Sequence, residues 1–425
     1  MKWLLPFLLL WPSAYFGQTN GEIPEQLDLK KALEIALANN PQLKAARNEI
    51  EVTDAERLDA SKRLNPAFSA YFEDYRLFHS DIGPFFQTQE ITVRLDQEIE
   101  TAGKRKLRTQ AAGLRSQAQK AQTDNVVRAL LLDVRRAYFQ AVLAQTNLES
   151  AEAILQEIDR IIELNRTRFE KGDISGAELK RVEVERLKFV EDVFASKLAL
   201  ANAKSTLLSL FGHSEPNPSF RVSEPLTLDR GAPTSAEGIP QPTPYPELVR
   251  QAVDKRPDLV ASVFEQRRAD TETLHQRSLR SPNITVTGGY KRNILDNTVV
   301  FGIALPLKVF NKNEGGIARA AAEKNRADNL AAHTRSQILL DLQKAYNSAE
   351  INRQRVEYIE KESIQKADES RQIVLTAYRL GEIDLIHLLD AERAYRETRK
   401  TYNQALYEYR MSLYELGSAI GLEAE

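Results

Sequence analysis

Two stretches, RFEKGDISGAEL (168–179) and AYRLGEIDLIHL (377–388), repeat one pattern within long charged segments of the sequence. In each, an aromatic residue stands three positions before a glycine, and an isoleucine follows the glycine by two positions. The offset between the two stretches is 209 at every shared position. These positions are Phe169 and Tyr378, Gly172 and Gly381, Ile174 and Ile383, and Leu179 and Leu388.

The repetition extends through most of the chain. LLDVRRAY (131–138) matches LLDLQKAY (339–346) at an offset of 208, and SLFG (209–212) matches SAIG (418–421) at 209. Pro41 and Pro66 recur as Pro257 and Pro282 at an offset of 216. Ordered matches of this kind predict one structural unit used twice, in residues 18–212 and 247–425. Between them, the proline-rich segment 213–246 is either a flexible connector or a place where FRV and LTL pair as short strands.

Each half has the same predicted order of elements. A helical stretch, broken at Pro41 or Pro257, precedes a strand pair, within 66–99 in the first half and 283–308 in the second. In 283–290 and 90–96 apolar and polar residues alternate, and Phe301, Ile303, Leu305 and Leu307 supply a partner strand. A long helix then runs from about Lys104 to Arg168, and a second returns from about Ser175 to Phe211.

The quoted stretches therefore lie at the tips of two long helical hairpins. Glycine enters the left-handed conformation that commonly ends a helix, which gives Gly172 and Gly381 a structural role. Either Asp173 or Ser175 can cap the next helix at the first tip, and either Glu382 or Asp384 can do so at the second. The isoleucines and leucines of the pattern are expected to bury the turns.

Composition narrows the class of protein. The 425 residues have a net charge of −2 and 28% charged residues, without the basic field expected of a nucleic-acid-binding protein. Residues 1–17 have the order of a secretory signal peptide: a lysine, a short apolar run and small residues. The chain has no cysteine, which excludes disulfides, thiolate metal sites and a lipidated cysteine.

The sequence contains no recognisable catalytic or metal-binding motif. Its five histidines are scattered, and neither a P-loop nor a paired nucleophile and base can be identified. We therefore predict a protein that is not an enzyme and has no cofactor.

The predicted strands impose an assembly. Four strands cannot close a barrel, and open strand edges are not tolerated in lipid. Three copies would supply a barrel of twelve strands. The sequence thus predicts a mainly α-helical fold with a small β part; as a homotrimer it would close into a twelve-strand barrel that continues into a long α-helical barrel.

The duplication, the NP and SP strand entries and the segment YRLGEIDLIHLLDAE (378–392) resemble the outer-membrane efflux protein family, whose members are TolC-like. Within the family, the chain looks most like members that serve cation-efflux pumps of the resistance-nodulation-division type. The resemblance implies an exit duct in the outer membrane of a Gram-negative bacterium that extends into the periplasm. Its expected partners are outer-membrane lipid, a periplasmic adaptor and an inner-membrane pump, for the export of heavy-metal cations or drugs.

The resemblance also implies site residues. The tip residues expected to contact the adaptor are Arg168, Gly172, Ile174, Arg379, Gly381 and Ile383, although the glycines and isoleucines also shape the turns. A periplasmic gate is expected near Asp368, Glu369 and Arg371, which could form ion pairs between chains or simply a solvated surface. Some relatives have an acidic residue about nine positions before the tip glycine, where this chain has Gln372.

Two other functions remain open from the sequence. The duct could serve type I protein secretion rather than efflux. Alternatively, the chain could be a periplasmic coiled-coil scaffold or adaptor, although adaptors typically have one hairpin and this chain has two.

Overall fold

The computed structural model describes residues 23–73, 89–213, 219–227, 244–293 and 296–422, so the predicted signal peptide lies outside the described residues. The first repeat is mainly helical, with a long hairpin at its end. Its elements are β1 (Gln26–Leu27), α1 (Leu29–Asn39), α2 (Pro41–Ser61), β2 (Ala67–Glu73), β3 (Glu90–Ile99), α3 (Lys104–Glu170) and α4 (Gly176–Leu210).

The second repeat has the same order of elements after a short strand in the connector. The elements are β4 (Arg221–Val222), α5 (Tyr245–Lys255), α6 (Pro257–Ser278), β5 (Ile284–Arg292), β6 (Asn297–Ala304), α7 (Glu314–Tyr358), a π-helical turn (Ile359–Ile364), α8 (Gln365–Leu380) and α9 (Leu385–Ala419). Leu305 and Leu307, predicted to continue the last strand, lie beyond the end of β6. None of the described helices is both long and apolar enough to cross a bilayer.

The proline breaks position the ends of the returning helices. Pro41 and Pro257 each occupy the first turn of a helix, as predicted. Gly212 has a φ of +74°, and a Cβ there would lie 3.1 Å from the carbonyl oxygen of Asn39. Gly421, with a φ of +75°, approaches the carbonyl of Lys255 in the same way. The repeated glycine of SLFG and SAIG therefore permits the same close contact in both repeats.

The connector forms a strand, but not with the predicted partner. Arg221 and Val222 pair in parallel with Gln26 and Leu27, so FRV does not pair with residues 226 and 227, the described part of LTL. Val222 and Leu27 are both buried, and the Tyr138 hydroxyl donates a hydrogen bond to the carbonyl oxygen of Leu27. Burial against α3 thus decides the pairing, because a hairpin within the connector would leave these apolar side chains exposed.

The four-stranded sheet joins the two repeats in the order β2-β3-β5-β6, with antiparallel pairing throughout. The pairing register shows which residues lie together on each of the two faces of the sheet. One face is apolar and exposed, and it includes Phe68, Phe72, Leu95, Phe301 and Ile303. The other has mainly polar residues, among them Thr92, Arg94, Asp96, Thr287 and Lys291. Within the described residues, β2 and β6 each have one edge without a partner strand.

The helices form a layer with α3 at its centre. Near the sheet, α3 packs between α2 and α6, and α6 packs on α7. Near the hairpin tips, α3 packs between α4 and α9, and α9 packs on α7 and α8. The first repeat thus forms one margin of the molecule, with β2, α2 and α4. The second repeat forms the other margin, with β6, α7 and α8.

The π-helical turn explains a change of offset between the repeats. The offset is 208 up to Tyr346 and 209 from Tyr378 onward, so the second repeat has one additional residue between these points. The six residues of the turn, Ile359–Ile364, lie inside this interval. A π-helical turn accommodates one inserted residue without changing the face that the rest of the helix presents. Consequently Leu375 and Tyr378 remain buried after the insertion.

Deletion of Lys361 from the π-helical turn is expected to lower the free energy of unfolding far less than a deletion in a regular helix does, because the turn can close into α-helix. Deletion of Gln156, an exposed residue of the uninterrupted helix α3, is the matched control. It rotates Ile158, Ile161 and Ile162 away from their buried positions, which costs about 2–5 kcal/mol for each large side chain lost from the core. Urea unfolding followed by circular dichroism measures both. Equal losses for the two deletions would contradict this interpretation.

Candidate functional site at the hairpin tips

At the first tip, Gly172 turns the chain after the end of α3, and α4 begins after Ser175. Gly172 has a φ of +82°, and the amide of Asp173 donates to the carbonyl of Arg168 at 2.9 Å. Ser175 accepts a hydrogen bond from the amide of Glu178, whose carboxylate accepts one from the amide of Ser175. Of the two predicted caps, Ser175 therefore caps α4.

The second tip uses the same backbone geometry without a side-chain cap. Gly381 has a φ of +80°, and the amide of Glu382 donates to the carbonyl of Ala377 at 3.0 Å. Asp384 occupies the capping position of α9, but its side chain makes no capping hydrogen bond. Ile383 is half-buried and packs on a cluster that includes Leu385 and Leu388. Ile174 is also half-buried, whereas both tip glycines are exposed.

A set of noncovalent contacts, here called the tip cross-link, holds the two hairpin tips together. The Arg168 guanidinium lies 4.9 Å from the centre of the Tyr378 ring and donates to the carbonyl oxygens of Tyr378 and Arg379 at 3.1 and 3.0 Å. The buried Tyr378 hydroxyl donates to Oδ1 of Asn165 at 2.5 Å. Arg379 forms an ion pair with Glu157 at 3.3 Å. Arg168 and Arg379, both predicted to dock an adaptor, are thus held in place by contacts between the repeats.

The three predicted gate residues differ in their surroundings. Arg371 is mostly buried, donates to Asp368 at 3.1 Å and lies 4.5 Å from the centre of the Tyr395 ring. Its guanidinium is also 3.5 Å from the carboxylate of Glu392, which is 0% exposed. Glu369 is exposed. Arg371 and Asp368 are therefore engaged with each other within the chain, whereas Glu369 presents its carboxylate at the surface.

Glu392 was missed by sequence reasoning. Helical spacing could have indicated its burial, because Glu392 lies on the same face of α9 as the buried Leu385, Leu388 and Leu389. Burial raises the pKa of the Glu392 carboxyl above its ordinary value; Arg371 opposes this shift, and Glu157 and Asp368 add to it.

Further ion pairs connect the hairpins across α3. Arg393 of α9 pairs with Glu185 of α4, and Arg396 pairs with Asp192 at 2.6 Å. The Arg396 guanidinium also lies 5.4 Å from the centre of the Phe189 ring. Within the described part of the chain, no group of three or more His, Asp or Glu side chains could hold a metal ion.

The duplicated hairpins, the joint sheet and the fastened tips define a known class. A sequence model of the outer membrane efflux protein family matches residues 32–213 and 248–422, so the chain belongs to this family. It is an efflux channel of the Gram-negative outer membrane with a periplasmic extension, as the family resemblance predicted.

Two individual proteins are similar in sequence to most of this chain. The cobalt-zinc-cadmium resistance protein CzcC of Cupriavidus metallidurans is 24% identical over 378 residues, covering 88% of this chain and 85% of CzcC. The outer membrane protein TolC of Vibrio cholerae is 24% identical over 314 residues, covering 70% of this chain and 68% of TolC.

Solved structures share the fold at low sequence identity. A structure of CusC superposes with a TM-score of 0.77 at 17% identity, covering 92% of each chain. The outer membrane protein VceC of Vibrio cholerae superposes with a TM-score of 0.74 at 18% identity, covering 92% of this chain and 96% of VceC. The predicted mainly α-helical fold with a small sheet is therefore confirmed.

Replacing Tyr378 with Phe tests the cross-link between the tips. The variant keeps the ring beneath Arg168 but removes the hydroxyl that bonds to the buried Asn165, which costs about 1–3 kcal/mol of unfolding free energy. Tyr71→Phe is the matched control, because Tyr71 is 48% exposed and lies on the polar face of the sheet, outside the helical hairpins. Urea unfolding of both variants in detergent measures the difference, and equal stabilities would show that the hydrogen bond contributes nothing.

Glu392 gives the stability a pH dependence. Because its pKa is raised in the folded chain, the folded state holds this proton more tightly than the unfolded state does. The free energy of unfolding therefore falls as pH rises from the ordinary glutamate pKa, near 4.5, to the raised value. Glu392→Gln should flatten this fall in urea unfolding between pH 4 and 8, and the exposed Glu369→Gln should not. Parallel pH profiles for wild type and Glu392→Gln would contradict the assignment.

Proposed function

We propose that three copies of the chain close into a continuous duct, through which an inner-membrane pump exports its cargo across the outer membrane. One observation carries this proposal: every layer of the molecule ends in an open margin, and the two margins come from different repeats. Because the two margins differ, the molecule can close only if one margin of each copy joins the other margin of the next copy.

The sheet supports closure within a membrane. Its exposed apolar face fits contact with lipid, and its polar face fits a water-filled lumen. The free edges of β2 and β6 would leave backbone amides and carbonyls unpaired in lipid. Pairing β2 of one copy with β6 of the next removes both edges, and three four-stranded sheets give a barrel of twelve strands.

The helical margins carry matching apolar stripes. On α4 the stripe comprises side chains spaced as in a heptad repeat: Val184, Leu187, Phe194 and Leu198. On α7 and α8 it comprises Ile351, Tyr358, Ile373 and Leu380. All of these side chains are more than 60% exposed in the single chain. Exposed stripes of this length are typical of a helix–helix interface.

One charged residue interrupts each stripe at nearly the same distance from the tip. Glu191 follows the Ser175 cap by 16 positions, and Lys366 precedes Gly381 by 15. Val184 and Ile373 are likewise nearly level, as are Leu198 and Tyr358. If α4 of one copy lies antiparallel to α7 and α8 of the next, Glu191 meets Lys366 of the neighbouring copy across the seam.

The tips are the proposed docking site for a periplasmic adaptor. Arg168, Gly172, Ile174, Arg379, Gly381 and Ile383 lie at this end of the two hairpins, where Arg168 and Arg379 are fixed by the cross-link. Asp368 and Glu369 are the proposed gate: the carboxylate of Glu369 is exposed, and Asp368, which accepts a hydrogen bond from Arg371, would have to exchange that partner for one in a neighbouring chain. The cargo inferred from the relative CzcC is divalent metal cations. Export of drugs and type I secretion are the alternatives.

Single-channel conductance in a planar bilayer, with the mass of the purified detergent-solubilised protein measured alongside, tests the duct. A trimer that opens discrete channels is the expected result. A protein that remains monomeric and never conducts would contradict closure, and the doubled hairpins would then belong to a scaffold.

A charge reversal tests the seam between copies. Each single variant, Glu191→Lys or Lys366→Glu, places like charges at the three seams between copies. This should weaken the free energy of trimer association by roughly 0.2–1 kcal/mol per seam at low salt, and so lower the trimer fraction. The double variant restores opposite charges and should recover part of the loss, although Lys366 also pairs with Glu362 of its own chain. Glu170→Lys, at an exposed residue outside the stripes, is the control. A double variant no better than the worse single variant would refute this register.

A further inference from the structure

All connections between the sheet and the long helices lie at one end of the sheet. The strands β2 and β5 begin after α2 and α6, whereas β3 and β6 lead into α3 and α7. Since the pairing is antiparallel throughout, these junctions fall together at the end opposite the strand turns. We call residues 62–66, 98–106, 277–283 and 305–314 the junction belt.

The junction belt is rich in exposed cations. They come from every junction: Lys62, Arg63, Arg105, Lys106, Arg277, Arg280, Lys308 and Lys312.

The carboxylates of the junction belt already have partners. Glu100 pairs with Arg108 at 2.6 Å, Glu98 accepts from Asn283 at 2.7 Å, and Glu314 accepts from the amide of Lys312 at 3.0 Å. The cationic side chains of the belt therefore outnumber the carboxylates that could neutralise them.

Three of these cations surround one cavity. Arg63, Arg105 and Lys106 line an open cavity of about 510 Å³ between the end of α2 and the start of α3. Glu98 and Glu100 also line it, but Glu98 accepts a hydrogen bond from Asn283 and Glu100 pairs with Arg108. The three cationic side chains make no ion pair with any residue in the described part of the chain. Leu64 and Ile99 add an apolar wall. Guanidinium groups bind phosphate oxygens in a bidentate manner, and an ammonium adds a point charge, so this lining suits a phosphate group attached to an apolar chain.

A second, independent feature places the junction belt at a lipid surface. In the connection from β6 to α7, Leu307, Val309 and Phe310 are 77%, 63% and 99% exposed. Lys308 lies between them. Apolar side chains interleaved with a lysine are typical of segments at the boundary of hydrocarbon and headgroups. The segment also continues the exposed apolar face formed by Phe301 and Ile303.

We propose that the junction belt binds the headgroup phosphates of anionic glycerophospholipids in the leaflet on the helical side of the barrel, with Arg63, Arg105 and Lys106 as a phosphate site. Its depth in the membrane rests on the proposed barrel. The acyl chains lie against Ile99, Leu307 and Phe310, and the phosphates face the cations. The belt thereby fixes the height at which the duct sits in the bilayer.

Native mass spectrometry of the full-length detergent-solubilised protein tests the phosphate site. Wild type is titrated with phosphatidylglycerol, phosphatidylcholine or inorganic phosphate. The test variant combines Arg63→Gln, Arg105→Gln and Lys106→Gln. The matched control combines Arg181→Gln, Arg335→Gln and Lys344→Gln, which remove the same charges from exposed helical positions.

The expected result is a preference of wild type for phosphatidylglycerol over phosphatidylcholine. The test variant should bind phosphatidylglycerol at least about tenfold more weakly, and the control should not. Equal binding of both lipids by wild type would overturn the proposal, as would an equal loss in the control. Retention of inorganic phosphate without a lipid preference would identify a free-anion site and also overturn it.

Two further outcomes separate this proposal from the duct. A test variant that loses its trimer in lipid-free detergent would assign the three cations to contacts between copies, and would overturn the lipid site. A wild-type chain that stays monomeric but prefers phosphatidylglycerol would contradict closure while supporting the belt. A conducting trimer without lipid preference would support closure and contradict the lipid-binding belt.

Discussion

Backbone hydrogen bonding at the margins of the sheet is the constraint on which the rest of the structure depends. Each strand margin presents amides and carbonyls that lipid cannot satisfy, so a four-stranded sheet with an apolar face is incomplete in a membrane. The same incompleteness continues into the helical layer, where α4 and α8 end in exposed apolar stripes. Sheet and helices are thus incomplete on the same two sides of the molecule.

The duplication explains why the two margins are unlike yet compatible. In each repeat the helices and strands occur in the same order, and the two repeats meet at the pairing of β3 with β5 and at the packing of α3 on α6 and α9. A contact between the first and second repeats exists already within one chain. In the proposed duct, a contact between neighbouring copies would again join a first repeat to a second, so the assembly would use one type of junction twice.

Much of the fold could be predicted from the sequence because its signals are periodic. Alternation of apolar and polar residues located β3 and β5, and helical periodicity with glycine and proline at the ends located the hairpins. The helix predicted from about Lys104 to Arg168 ends at Glu170 in the structure. Local patterns of this kind depend on one element and its solvent, which a single sequence records.

The features that escaped prediction depend on contacts between distant segments. No local pattern in FRV identifies residues 26 and 27 as its partner, because the pairing is fixed by burial against α3. Glu392 is an ordinary acidic residue in the sequence, and its burial arises from α8 and Arg371 packing over it. The contact of Arg168 with Tyr378 likewise requires both tips to be in place.

The single residue inserted at the π-helical turn has an evolutionary consequence. The two repeats share one order of elements, and recombination between their coding segments could exchange one hairpin for the other. An exchange with one breakpoint before the insertion and another after it would still preserve the core, because the turn absorbs the extra residue. An exchange that moved the insertion into α3 without such a turn would rotate the buried isoleucines out of the core. The turn therefore limits which exchanges between the two repeats would leave the core intact.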